Sequence, residues 1–134
     1  MKIDGACYCG QVRYRAEIDP AQVEICHCTD CQTLSGSAFR IVVPALAGSF
    51  ELLSGALRTF IKTAESGNRR IQAFCGECGT SVYSTAADTE NAIIGLRVGT
   101  IRQRRELPPQ RQYWTRSAHD WAMDIGTIPG HETQ

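Results

Sequence analysis

The chain has 134 residues, 43% of them hydrophobic and 21% charged, a composition typical of one ordinary globular domain. Fourteen basic and fourteen acidic residues give a formal net charge of zero, which argues against binding to nucleic acid or to an anionic membrane surface. Seven cysteines are present, and an odd number excludes a fold in which every cysteine is paired in an internal disulfide.

Short apolar or alternating segments, separated by turn residues, predict strands along the chain. We predict strands, in chain order, at residues 11–18, 23–28, 38–43, 50–53, 57–62, 70–74, 81–84, 92–98, 112–115 and 119–123. The alternation in the first strand places four apolar side chains on one face: Val12, Tyr14, Ala16 and Ile18. One short helix is predicted at residues 29–34. This spacing of strands indicates a mainly β fold, and without a linker or repeat we assign residues 1–134 to a single domain.

The N-terminal residues carry no apolar stretch of the kind that marks a secretory signal. No apolar run approaches the roughly 18–20 residues that span a bilayer. We therefore expect a cytoplasmic protein with no membrane association, in which the thiols stay reduced. Clustered cysteines in that compartment more often bind metal or carry out chemistry than form structural disulfides.

The cysteines fall into three groups along the chain. They are C-Y-C-G at residues 7–10, C-H-C-T-D-C at residues 26–31 and C-G-E-C-G at residues 75–79. Two cysteines separated by one or two residues present both sulfurs from a tight turn, as one tetrahedral metal ion requires. The glycines after Cys9 and Cys78 tolerate a positive φ and let the backbone fold closely under a metal. The third group, between two predicted strands, is typical of a zinc knuckle.

The number of sulfurs in each group indicates how two zinc ions would be held. The first and third groups supply four sulfurs, enough for a closed structural site: Cys7, Cys9, Cys75 and Cys78. The second group supplies three: Cys26, Cys28 and Cys31. Because catalytic zinc keeps three protein ligands and one open position, four plus three is the pattern of one structural and one reactive zinc. Other groupings fit the same residues, including one in which His27 or His119 completes the second site.

Other uses of these cysteines predict different surroundings. A thioredoxin-like C-x-x-C opens a helix after a strand, whereas the residues after Cys78 have the pattern of a strand. An iron–sulfur cluster uses the same thiolates and remains an alternative. A further alternative is that all three groups serve only to stabilise a small β domain.

With these motifs the chain resembles the family of glutathione-dependent formaldehyde-activating enzymes, which includes the relatives of centromere protein V. The resemblance rests on residues 5–14, 26–32 and 74–80, together with Phe39 and the S-A-H-D-W segment at residues 117–121. It implies a zinc-binding β-tent fold built of small antiparallel sheets, with two Zn²⁺ per chain. It also implies a closed structural zinc at Cys7, Cys9, Cys75 and Cys78, and an open, catalytic zinc at Cys26, Cys28 and Cys31.

The implied activity is that of a carbon–sulfur lyase, written in the synthetic direction as glutathione plus formaldehyde giving S-hydroxymethylglutathione. The partners would be a small-molecule thiol, glutathione or similar, and an aldehyde. We expect the thiol to take the open position at the three-cysteine site, lose its proton there and add reversibly to the aldehyde. The alternative is a non-catalytic zinc-binding interaction module, as the centromere-type relatives suggest.

Residues near the second cysteine group are candidates for supporting roles. His27 alternates with two ligands in an extended segment, so its ring should point away from the metal, and we favour a surface or supporting histidine over a proton shuttle. Residues 35–37 form either an ordinary loop or a set of backbone donors for a substrate carboxylate. Arg40 is interpreted as a strand-face arginine, with pairing to a carboxylate of a peptide thiol as the alternative.

Two features nearer the C-terminus suggest a nucleic-acid surface and are interpreted otherwise. The basic run R-Q-R-R at residues 102–105 is followed by Glu106 and is predicted to be a solvated loop. Trp114 and Trp121 are predicted to be core aromatics, because no basic residues alternate with them as in a base-stacking platform.

Overall fold

The computed structural model describes all residues, 1–134, and shows ten strands and one α-helix. The strands are β1 Lys2–Ala6, β2 Arg13–Glu17, β3 Glu24–Cys26, β4 Arg40–Pro44, β5 Glu51–Ser54, β6 Leu57–Thr63, β7 Arg69–Cys75, β8 Ser81–Ala86, β9 Gly95–Arg97 and β10 Arg111–Tyr113; the helix is α1 Thr29–Ser35. Six single-turn 3₁₀ helices connect them: Pro20–Gln22, Val98–Thr100, Arg104–Glu106, Thr115–Ser117, Asp120–Met123 and Ile125–Thr127. The predicted mainly β class and the single short helix are confirmed.

The smaller sheet has three antiparallel strands in the order β1-β2-β5. Strand β2 and its flanks alternate as predicted, because every second side chain must leave water to cover the core. The buried set is the predicted one: Val12, Tyr14, Ala16 and Ile18. The Tyr14 hydroxyl is hydrogen-bonded to Thr100 Oγ1 at 2.7 Å, which satisfies its polar end inside the core.

The larger sheet has seven strands in the order β10-β3-β4-β9-β8-β7-β6. All neighbours are antiparallel except β10 and β3, which run parallel. Its strands β3 and β7 end at Cys26 and Cys75, so this sheet positions a cysteine of the second group and one of the third. Isolated bridges link Gly5 to Ile101 and Ile18 to Ala45, so the smaller sheet is connected to the segments that follow β9 and β4. None of the helices combines the length and hydrophobicity needed to cross a bilayer.

The structure differs from the prediction at three elements. Residues 119–123 form the 3₁₀ turn Asp120–Met123, not a strand, because the Ala122 N–H donates back to the His119 carbonyl at 2.9 Å. Only Gly95–Arg97 of residues 92–98 is a strand. Strand β1 was not predicted, because its sequence K-I-D-G-A has low β-propensity and forms a strand by pairing with β2. The assignment of residues 1–134 to one domain stays a prediction.

The two tryptophans are not core residues, and that prediction is wrong. Trp114 is 45% and Trp121 is 58% exposed. Trp114 has a left-handed backbone, with φ of 58°, and its ring lies 4.8 Å from the Arg116 guanidinium. Trp121 stacks on the His119 ring at 5.3 Å. Each indole therefore packs against a neighbouring polar side chain on the surface instead of joining the core.

Candidate metal centres

The first and third cysteine groups come together in space. Their four Sγ atoms, from Cys7, Cys9, Cys75 and Cys78, all lie within 4.8 Å of one another. The Cys7–Cys9 separation is 3.4 Å and the Cys9–Cys75 separation is 3.8 Å. A tetrahedral ion with metal–sulfur bonds of about 2.3 Å places its sulfurs about 3.8 Å apart, so this group fits one such ion. Gly10 and Gly79 have φ of 79° and 73°, as the predicted turns require.

Backbone and hydroxyl donors orient the sulfurs of this group. The Val12 N–H donates to Cys7 Sγ at 3.3 Å. Thr80 links two cysteine groups, since its hydroxyl accepts from the Tyr8 N–H at 3.1 Å and lies 3.1 Å from Cys78 Sγ, to which it donates. That hydroxyl, followed by the N–H groups of Cys9 and Thr80, lowers the pKa of Cys78 to about 5. Donors of this kind favour the thiolate, the form that binds a metal.

Thr80 is a supporting residue whose role the sequence analysis did not identify. Its position directly after the C-x-x-C-G turn was the available signal, because the turn brings a side chain there back towards the sulfurs.

The second cysteine group also converges. The Sγ atoms of Cys26, Cys28 and Cys31 lie within 4.8 Å of one another, and neither His27 nor His119 joins them. Strand β3 ends at Cys26, and Cys28 caps the start of α1 by accepting from the Cys31 N–H at 3.3 Å. The first turn of the helix thus points two thiols towards the strand end. Three sulfurs without a fourth protein ligand match the ligand set of an open zinc site.

The thiols of this group differ in acidity. A hydrogen bond with Cys31, followed by donors at Cys28 and the positive charge of Arg40, lowers the pKa of Cys26 to about 5. The same contact with Cys26 raises the pKa of Cys31. The contact between them therefore favours the thiolate at Cys26 and the thiol at Cys31. A metal ion bound here would require the thiolate form of all three cysteines, so its binding would release protons.

His27 points away from the three sulfurs, as the alternation predicted. Its ring is 1% exposed, so it is a buried residue and not a surface one. The His27 Nε2–H donates to Gln112 Oε1 at 2.7 Å, and the ring meets Phe39 edge-on at 5.5 Å. Gln32 of α1 donates to the His27 carbonyl at 2.8 Å and to the Ser117 carbonyl at 2.9 Å. These contacts tie the cysteine-bearing helix to the C-terminal segment.

The three-cysteine group opens onto a cavity of about 690 Å³ on one face of the seven-stranded sheet. Side chains directly opposite each other on neighbouring strands share a face. Cys26 on β3 is paired with Arg40 on β4, and Val42 is paired with Arg97 on β9. Arg40 lies on the sheet face as predicted, yet it is only 7% exposed, and Arg97 is only 6% exposed. Burial, followed by the charge of Arg40, lowers the pKa of Arg97 to about 9.

A second cavity, of about 890 Å³, is also lined by these two arginines. Ser35 and Ser37 line it, as do Arg102 and Arg104. Arg102 forms an ion pair with Asp4 at 2.7 Å and is largely exposed, so the basic run at residues 102–105 lies in a solvated segment, as predicted. Residues 35–37 are exposed and contribute to this second cavity, not to the three-cysteine one.

The fold and the two thiol clusters define a cysteine-rich β protein with two groups of thiols placed as a metal ion requires. The chain belongs to the glutathione-dependent formaldehyde-activating enzyme family, whose model matches residues 2–117. No curated protein matches the sequence. A crystal structure of a Rhodobacter sphaeroides protein, a structural-genomics target, has a similar fold at 20% identity and a TM-score of 0.63. That match covers 81% of this chain and 98% of the other chain.

Proposed function

We propose that the protein is a zinc-dependent carbon–sulfur lyase that adds a thiol, glutathione or similar, reversibly to an aldehyde such as formaldehyde. In the forward direction a bond forms between the thiol sulfur and the aldehyde carbon. The thiol proton ends on the new hydroxyl oxygen, so atoms and electrons balance without an oxidant or reductant. Membership of the formaldehyde-activating family supports this class of reaction.

The four-cysteine group is proposed to hold the structural zinc. Its ligands come from positions up to 71 residues apart, at Cys7 and Cys78, so a bound ion would tie the smaller sheet to the end of β7. Cys7 and Cys75 are buried, and four sulfurs complete a tetrahedron. This site would contribute folding free energy and leave no position for a substrate.

The three-cysteine group is proposed to hold the catalytic zinc through Cys26, Cys28 and Cys31. The observation that carries the proposal is their convergence at the wall of a cavity without a fourth protein ligand. These three residues would leave a zinc ion one free position, and a substrate thiol bound there would lose its proton near neutral pH. Arg40, paired with Cys26 across the strands, supplies positive charge that stabilises the thiolates of the protein. Seven free thiols suit a reducing compartment such as the cytoplasm.

Zinc content tests the assignment of the two sites. The purified protein should contain close to two zinc ions per chain. The Cys28→Ser variant should keep its fold and one zinc, since its open site is not needed for folding. The matched variant Cys78→Ser, with the same atom change in the other group, should lose much of its stability. One zinc in the wild type, or unfolding of Cys28→Ser, contradicts the division.

Exchange spectroscopy by NMR tests the reaction. Glutathione and formaldehyde exchange spontaneously with their adduct, and the wild-type protein at micromolar concentration should increase that exchange rate. With Cys28→Ser the exchange rate should equal the spontaneous rate measured without protein. If the wild type contains two zinc ions and yet accelerates exchange for neither glutathione nor smaller thiols, the interaction-module alternative replaces the lyase proposal.

A further inference from the structure

We infer that Arg40, Arg97 and Gln72 form a carboxylate-binding site on the floor of the three-cysteine cavity, which selects thiols that carry a carboxylate. The choice of a thiol as the ligand rests on the proposed function, whereas the anion site itself rests on the sheet geometry.

The sheet register brings these three side chains to one face. Arg40 is paired with Cys26, Arg97 is paired with Val42 two positions along β4, and Gln72 lies on β7 opposite Ser84. All three are nearly buried, with exposures of 5–7%. Gln72 Oε1 accepts from Arg97 Nη2 at 2.9 Å and from Arg40 Nη1 at 3.3 Å. A neutral amide oxygen therefore holds the two guanidinium groups side by side.

One donor of this cluster lacks an acceptor. Arg40 Nη2 is buried and has no hydrogen-bond partner, although Arg40 lines both cavities. A buried charged donor without a partner is costly, and that cost is recovered when an anionic acceptor binds. Two adjacent guanidinium groups match the two oxygens of a carboxylate.

The charges around the cavity leave room for one negative charge on the ligand. Four cationic side chains line it: Arg40, Lys62, Arg70 and Arg97. Two carboxylates oppose them, Glu24 in the lining and Asp30 in an ion pair with Lys62. Three thiolates around a divalent ion add a net charge of minus one. One positive charge then remains for the ligand, and a zinc-bound thiolate sulfur compensates it. The carboxylate is therefore favoured by the unpartnered Arg40 Nη2 and not by the net charge of the cavity.

Two thiols of equal length provide the test: 3-mercaptopropionate, which carries a carboxylate, and 3-mercapto-1-propanol, which is neutral. Their affinities for the two-zinc protein are measured by calorimetry, so the result does not depend on turnover. The carboxylate should bind about tenfold or more tightly, as expected for a charge-assisted hydrogen bond. Acetate should compete with 3-mercaptopropionate, and acetamide should not.

Arg40→Gln should reduce the preference to less than about threefold while zinc content stays at two. Arg97→Gln is the second variant, in case the first does not fold. Lys62→Gln is the matched control, because it removes a charge that Asp30 already neutralises, and it should keep the preference. Equal affinity for the two thiols in the wild type, or an unchanged preference in both arginine variants, overturns the inference. A lyase-inactive protein that still prefers the carboxylate would refute only the proposed function.

Discussion

Replacing Thr80 with valine removes a hydroxyl and keeps the shape of the side chain. In the structure that hydroxyl donates to Cys78 Sγ at 3.1 Å and accepts from the Tyr8 N–H at 3.1 Å. The two bonds connect the first cysteine group to the third. We expect Thr80→Val to weaken metal binding at the four-cysteine group and to leave the three-cysteine group unaffected.

The size of the effect follows from the two hydrogen bonds. A bond to a charged thiolate contributes roughly 1.5–3 kcal/mol. The Tyr8 N–H lies on an exposed residue, so water can replace the lost acceptor there at little cost. The thiolate bond therefore dominates, and the zinc affinity should fall about 10–100-fold, the range typical of residues that support metal ligands.

Chelator competition measures this affinity. In the Cys28→Ser background only the four-cysteine group should hold zinc, so the assay reports one site. Thr80→Ser keeps the hydroxyl and should stay within about threefold of the parent, whereas Thr80→Val should not. Thr59→Val, an exposed threonine on β6, controls for the loss of a hydroxyl alone. Equal affinities for Thr80→Val and its parent would refute the reasoning.

Three further predictions concern stability. Gly5→Ala places a Cβ 2.2 Å from the buried Tyr14 ring and should lower the free energy of unfolding by about 3 kcal/mol. Denaturant unfolding followed by circular dichroism measures this loss. The control is Gly99→Ala, which has open space around the new Cβ and should be near neutral. Burial raises the pKa of Tyr14 to about 12, above its unfolded value near 10. The contribution of Tyr14 to the free energy of unfolding is therefore complete below pH 10 and falls as the pH rises towards 12. The stability difference between the wild type and Tyr14→Phe should shrink over that range by about 2–3 kcal/mol, and a constant difference contradicts the prediction. Gln32→Leu leaves the backbone carbonyls of His27 and Ser117 without their donor and should increase amide hydrogen exchange in the C-terminal segment. Equal exchange rates in the variant and the wild type would contradict this prediction.

The local features of this chain could be predicted from sequence because their causes lie within a few residues. The alternation over residues 11–18 indicates a strand with one buried face. The short spacings within each cysteine group indicate tight turns that bring the sulfurs of the group together. The short helix follows from the same turn, which Cys28 caps.

Arg40 was a candidate for pairing with a carboxylate, but its association with Gln72 and Arg97 could not be predicted, because the three residues are far apart in the sequence. Arg40, Gln72 and Arg97 meet only through the order of strands in the larger sheet, and none carries a local pattern. The prediction that the two tryptophans lie in the core was wrong for a related reason. Their aromatic character indicated a core, but Arg116 and His119 supply surface partners that composition does not reveal.

The long separation between the first and third cysteine groups has a consequence for biosynthesis. Cys9 and Cys75 meet across 66 positions of sequence. At a synthesis rate of about 5–20 residues per second, several seconds pass between translation of the first pair and translation of its partners. During that interval the nascent chain exposes two reactive thiols, and the second group emerges with three more. The three-cysteine group is therefore complete before the four-cysteine group during synthesis, so it can bind a scarce metal ion first.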